Sequence, residues 1–164
     1  SDAAAAEAMV AEAKVETNDA LENLRDLARG IYPPLLADQG LAAALRSQAR
    51  KAAIPVEVEP DGIGRYPAET EAAVYFSCLE ALQNVAKYAE ASSATVRLSQ
   101  SNGSLTFEVA DDGRGFDPEA AERGSGLQGM ADRVAALGGT LTVRSAPGEG
   151  TSISGALPVE GVTP

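Results

Sequence analysis

The amino-acid sequence predicts an α+β fold: a two-layer α/β sandwich with a mixed, mainly antiparallel sheet, preceded by a long N-terminal helix. Three observations predict it. Helical and strand-like periods follow one another in the order helix, strand, helix, hairpin, helix, hairpin, which suits helices laid on one face of a sheet. Two pairs of strand-like segments are joined by short glycine-containing turns, so each pair is an antiparallel hairpin. The 164 residues are 45% apolar, enough for one core plus an appended element.

Each element has its own signal. Residues 1–28 are rich in Ala, Glu, Leu and Asn and lack Gly and Pro, a helix by propensity. Val10, Thr17, Leu21, Leu24 and Ala28 fall near heptad spacing, with Lys14 interrupting. Such a helix buries little alone and calls for a partner helix or a second copy. Gly30-Ile31-Tyr32-Pro33-Pro34 stops it, because prolines cannot continue a helix. Leu41 to about Ala53 reads as the next helix, Ile54–Glu59 as a strand, and Pro60-Asp61-Gly62 as a turn. A helix then runs from near Pro67 to about Ala89. Strands Ala94–Gln100 and Ser104–Ala110 flank Ser101-Asn102-Gly103, a strong hairpin signal. A loop covers Asp111–Ser125. A helix over Leu127–Leu137 ends at Gly138-Gly139, and strands Thr140–Arg144 and Thr151–Leu157 close the pattern.

Charge excludes several functions. A formal net charge of −11 opposes binding to nucleic acid or to an anionic membrane surface, both of which need clustered Lys and Arg. No apolar run approaches the ~20 residues of a membrane span, and no targeting signal is read, so a cytoplasmic setting is expected. Cys78 is the single cysteine, which rules out an internal disulfide, and its apolar helical face predicts a buried, inert thiol.

The chemistry concentrates in two stretches. On the helix ending near Ala89, Glu80, Asn84 and Lys87 share an arc of roughly 60°, while Val74, Cys78, Leu82, Val85 and Ala89 take the other side. The apolar side is expected to face the sheet and the polar stripe to look away from it. Asn84 offers a neutral oxygen to a hard cation such as Mg²⁺. Glu80 can orient or deprotonate a nucleophile, and Lys87 can meet a phosphate. A solvated helix face is the bland alternative for these three. The second stretch is Asp111-Asp112-Gly113-Arg114-Gly115-Phe116, followed by Gly124-Ser125-Gly126-Leu127-Gln128-Gly129-Met130. Asp111, at a strand end, can accept a hydrogen bond from an exocyclic amine. A simple acidic turn is the competing reading. Gly124 and Gly126 precede a helix, where backbone N–H groups can approach phosphate oxygens. The stretch has neither the Lys-Ser/Thr of a P-loop nor the setting of a dinucleotide fold.

In combination and order, E-A-L-Q-N-V-A-K-Y-A, D-D-G-R-G-F, G-S-G-L-Q-G-M-A-D-R-V and G-E-G-T resemble the four boxes of the catalytic ATP-binding domain of sensor histidine kinases. That domain belongs to the Bergerat-fold superfamily, with Hsp90, gyrase B and MutL. The segment L-R-D-L-A-R-G-I-Y-P-P-L-L-A-D-Q-G-L-A-A-A-L is similar to the junction of the DesK, NarX and DevS-like subfamily. The resemblance spans about residues 20–158. It implies ATP and Mg²⁺ as ligands, with Asn84 on the metal, Glu80 polarising the attacking histidine, Lys87 on phosphate and Asp111 on the adenine amine. By the same resemblance Gly113 and Gly115 shape the pocket, Gly124, Gly126 and Leu127 border a short lid, and Thr151 supports the adenine end. Arg123 on that lid is a further phosphate candidate.

The implied organisation is residues 1–30 as the second helix of a dimerisation hairpin, 31–40 as a junction, 41–158 as the catalytic domain and 159–164 as a tail. Its partners are the histidine-bearing dimerisation helix of the same parent protein, a response regulator and, through the N-terminal helix, a second copy of the chain. Tyr88 and Tyr32 stand where the family usually has histidine, and the phosphoacceptor motif is expected upstream. The sequence contains no histidine. A serine kinase of the anti-sigma-factor type and a degenerate nucleotide-binding switch share the pocket and remain open; the G-I-Y-P-P-L-L junction and the preceding helix oppose the former.

Overall fold

The computed structural model describes residues 32–117 and 126–159. The chain divides between Pro34 and Leu35, and the elements below lie on the second side of that division. The long N-terminal helix, and a dimer built on it, fall outside the described residues.

Pro34–Gln39 forms a short helix, α1, where the sequence predicts only a stop. Proline ends a preceding helix but is well suited to open the next, since its fixed φ matches the first turn and its missing N–H costs nothing there. α2 spans Leu41–Arg50 and ends sooner than the expected Ala53. β1, Val56–Asp61, takes in Pro60 and Asp61, which the sequence assigns to a turn. The reason is topological: β1 is an edge strand, and an edge tolerates a residue that cannot donate a ladder bond. α3 spans Ala68–Asn84 and continues as a π-helical turn over Val85–Ala89. Glu69 and Glu71 in its first turn complement the positive end of the helix dipole.

β2 (Ala94–Ser101) and β3 (Ser104–Asp111) form the expected hairpin. Asn102 and Gly103, at φ +52° and +76°, give its two-residue turn the left-handed pair that matches strand twist. α4 covers Leu127–Ala135, and its end is closed by Gly138 and Gly139 N–H groups bonded back to the Ala135 and Val134 carbonyls. β4 (Thr140–Ser145) and β5 (Thr151–Pro158) complete a five-stranded sheet in the order β1-β2-β3-β5-β4. Only β1 and β2 run parallel, so the sheet is mixed and mainly antiparallel.

Register explains the core. Val96 lies opposite Val109 and Leu98 opposite Phe107, while Val109 faces Ile153 and Leu105 faces Leu157. These residues are buried on one face of the sheet. Val74, Cys78 and Ala81 of α3, Leu41 and Leu45 of α2, and Met130 and Val134 of α4 are buried as well, forming the helical layer. Each large apolar side chain taken out of water here contributes about 1.5–3 kcal/mol. Cys78 is fully buried, and burial pushes its thiol far above the ordinary range, so it is unreactive as the sequence predicts. Among the described residues no helix is long and apolar enough to cross a membrane.

Candidate functional site

A cavity of about 530 Å³ opens between the C-terminal end of α3 and the adjoining ends of β3 and β5, within the range of ~300–1,000 Å³ usual for small-molecule sites. Ala81, Val85, Val109 and Ile153 supply apolar wall, and Asp111 and Thr151 supply polar groups. Asn84, Tyr88, Arg114, Phe116 and Leu127 complete much of the lining. The sequence reading therefore needs one correction. Of Glu80, Asn84 and Lys87, only Asn84 lines the cavity, and it does so beside the apolar Val85 and the sheet residues Val109 and Ile153 rather than on a separate face. A helix crossing the end of a sheet can present both kinds of side chain to one gap.

Asp111 closes the sheet side. Its Oδ1 accepts the Gly113 N–H at 2.8 Å, and the carboxylate also accepts from the Thr151 backbone N–H. Partial burial raises its pKa, offset in part by the Gly113 bond. Thr151, paired with Asp111 across the strands, has its hydroxyl 2.9 Å from Ser145 Oγ. Ser145 Oγ donates to the Gly150 carbonyl and accepts the Phe116 N–H, so the shared proton of the Thr151–Ser145 contact belongs to Thr151. Thr151 is thereby presented to the cavity as an acceptor.

Two glycines hold the loop close. A Cβ at Gly113 would lie 2.2 Å from the Ala89 carbonyl oxygen, so no larger residue fits. Gly115 has φ +64°, and a Cβ there would lie 2.1 Å from the Ala146 carbonyl oxygen. The loop is also tied to the end of α3: Arg114 donates its backbone N–H to Ala89 O at 2.7 Å and its Nε to Tyr88 O at 2.8 Å. Asp112 does the structural work that the acidic-turn reading expects. It accepts the Ser92 and Ser93 N–H groups at 2.7 and 3.0 Å, and these bonds lower its pKa.

The π-helical turn changes the count on α3. Past Asn84 the wider turn breaks the 3.6-residue period on which Lys87 is aligned with Glu80 and Asn84. Lys87 is exposed and lies outside the cavity lining, whereas Tyr88 sits on the rim, about half exposed. Glu80 also lies outside the lining. It is not a freely solvated side chain: its Oε1 accepts from Arg133 Nη2 of α4 at 2.9 Å. Gly126, at φ +79°, is the N-cap of α4, and a Cβ on it would come within 3.0 Å of Glu80 Oε2. Leu127 reaches the cavity. Gly124 and Arg123 fall outside the described residues, and so does most of the expected lid.

Sequence reasoning misses Arg114, Phe116, Tyr88 and Ser145 as parts of the site, and Arg133 as the partner of Glu80. Arg114 and Phe116 carry a signal, since they fall inside the glycine-bracketed run. Ser145 and Arg133 carry none, because their partners come from other elements. As to metals, no cluster of three or more His, Cys, Asp or Glu exists among the described residues. Asn84 provides a neutral oxygen at the cavity, of the kind a hard cation such as Mg²⁺ accepts.

Comparison with known proteins bears on this site. Residues 69–161 match the family described as histidine kinase-, DNA gyrase B-, and HSP90-like ATPase. The signal transduction histidine-protein kinase/phosphatase DegS of Brevibacillus brevis is 33% identical over 162 residues, covering 87% of this chain and 42% of that protein. The signal transduction histidine-protein kinase/phosphatase UhpB of Salmonella typhimurium is 36% identical over 141 residues, covering 80% of this chain and 27% of UhpB. The chain thus spans less than half the length of these relatives. Among solved structures, the blue-light activated histidine kinase of Erythrobacter litoralis EL346 superposes with a TM-score of 0.60 at 29% identity, over 73% of this chain and 42% of that one. The mycobacterial sensor histidine kinase MprB gives 0.52 at 27% identity, over 71% of this chain and 90% of that one.

Proposed function

The chain belongs to the histidine kinase-, DNA gyrase B-, and HSP90-like ATPase family, and from that premise we propose that it is the catalytic part of a two-component sensor histidine kinase. It binds Mg-ATP and delivers the γ-phosphate to a histidine outside this chain. The observation that carries the reading is the cavity itself, lined by Asp111 and Thr151 from the sheet and by Asn84 from α3. Residues 1–30 serve as the second helix of the dimerisation hairpin, 31–40 as the junction and 41–158 as the catalytic domain. A response regulator then takes the phosphoryl group, and this part of the parent protein works in the cytoplasm.

The residues divide the work. The Asp111 carboxylate accepts a hydrogen bond from the adenine amine, a donor that guanine does not place at that position. Val85, Val109 and Ile153 exclude water from the ring faces, which strengthens that bond. Asn84 would hold Mg²⁺, which would supply charge neutralisation at the phosphates, and Lys87, Gly124 and Gly126 would stand on the phosphate side. Glu80 accepts the proton from the attacking imidazole. The nitrogen bonds to the γ-phosphorus, the bond from phosphorus to the bridging oxygen breaks, and ADP leaves. Catalysis of this kind is mostly positioning and electrostatics. The chain has no histidine, so alone it holds no residue able to form the phosphoramidate.

Incubation of the chain with labelled Mg-ATP and a histidine-bearing hairpin from its parent tests the reading. Acid-labile, alkali-stable label on the hairpin is the expected result. Acid-stable label on the chain alone moves the assignment to a kinase for Ser, Thr or Tyr, and saturable ATP binding without any transfer moves it to a nucleotide switch.

A further inference from the structure

Glu80 carries the proton transfer in the function proposed above, and this inference rests on that reading. Its carboxylate is not left to solvent. Oε1 accepts from Arg133 Nη2 at 2.9 Å, and Oε2 faces the backbone at Gly126 so closely that a Cβ there would stand 3.0 Å away. The two side chains are 29% and 23% exposed, so the pair is partly shielded from water and from salt. The second guanidinium nitrogen, Nη1, is buried and has no hydrogen-bond partner among the described residues.

We propose that Arg133 is the positioning residue for Glu80. It fixes the carboxylate in one orientation while the acceptor histidine approaches. The placement of Arg133 gives the device a second property. It lies on α4, the helix that begins at Gly126 and puts Leu127 into the nucleotide cavity. The helix that lines the nucleotide cavity through Leu127 is therefore the same helix that carries the partner of Glu80.

The test is phosphotransfer to the supplied hairpin, with KM for ATP and kcat read separately for wild type, Arg133→Ala, Arg133→Lys, Glu80→Gln and the double variant Glu80→Gln/Arg133→Ala. Misplacing a catalytic group by an ångström costs about 10²-fold. Arg133→Ala is therefore expected to lower kcat by about that factor, with KM for ATP within about threefold. Arg133→Lys, which keeps charge and most of the reach, recovers part of the loss. In the Glu80→Gln background, removal of Arg133 adds little. A merely structural role gives the opposite pattern: KM and kcat worsen together, lysine does not rescue, and the two losses multiply. Should Arg133→Ala fail to fold, the lysine variant and its cycle with Glu80→Gln give the same reading. Wild-type kcat in a folded Arg133→Ala, with Glu80→Gln slow, overturns this inference alone. Wild-type kcat in Glu80→Gln, or no transfer by wild type, overturns the role of Glu80 and this inference with it.

Discussion

Glu71 and Glu80 stand at opposite ends of α3, each joined to an arginine, and their surroundings could hardly differ more. The Glu71 side chain is 2% exposed, while its partner Arg65 is 51% exposed and reaches in from the surface. Arg65 also donates to the Leu36 and Ala37 carbonyls, and Glu71 Oε2 accepts the Tyr66 N–H. That arrangement pins α1 and the segment before α3 to the helix. Glu80 is the more open partner of its pair, held at one oxygen by Arg133 and sitting beside Gly126 rather than in the core. The difference teaches which carboxylate is scaffold. A carboxylate sunk in the core and bonded on several sides has no lone pair to spare for a substrate. One held from behind and left partly open does.

Substitution at the two ends should separate these roles. The largest effect is expected from Glu80→Gln, which slows phosphotransfer to a histidine hairpin by about 10²–10⁴-fold, the usual share of a general base. Its ATP affinity, read by calorimetry, stays near wild type, and its urea midpoint moves little. Arg65→Ala inverts the pattern. It takes from the buried Glu71 its charged partner, so urea unfolding should show a loss of about 3 kcal/mol, while ATP affinity per folded molecule is retained. A stable Arg65→Ala with impaired ATP binding would erase the distinction between the two ends of the helix.

A finer contrast lies between neighbours. Asp111 has its pKa raised by burial, and Asp112 has its pKa lowered, chiefly by the Ser93 and Ser92 N–H groups. On acidification Asp111 therefore takes up its proton first. What Asp112 contributes to stability is present above the ordinary aspartate range and is lost only as pH falls through its depressed value. ATP affinity should thus decline on acidification while the circular dichroism spectrum is still native. In Asp111→Asn this early decline should vanish. Simultaneous loss of binding and fold in the wild type would contradict the opposite directions assigned to the two groups.

Much of this molecule was legible in its residues, and the parts that were not share a cause. Strand alternation and the Asn102-Gly103 turn are local, so the hairpin follows from neighbours in sequence and appears where expected. Asp111, Gly113 and Gly115 were legible because strand end, turn and glycine lie within five residues of one another. Lys87 was aligned by an α-helical period that the π-helical turn interrupts, and no residue in Val85–Ala89 announces that turn. Pro60 was read as a breaker because sequence does not say which strand will be an edge. Arg133 and Ser145 matter through partners on other elements, Glu80 and Thr151 respectively, and such pairings exist only once the chain has folded.

The central claim is that the cavity between α3 and the sheet is a nucleotide site in which Asp111 reads adenine. Calorimetric titration of ATP and GTP into wild type and Asp111→Asn, each with and without magnesium, tests it most directly. The wild type is expected to bind ATP in preference to GTP and to need magnesium for full affinity. Asp111→Asn should lose about 1–3 kcal/mol of ATP binding, the cost of removing one partner from a shielded hydrogen bond, and little of whatever GTP binding exists. Equal affinity of the wild type for the two nucleotides, or an Asp111→Asn variant that binds ATP as tightly as the wild type, would contradict the account.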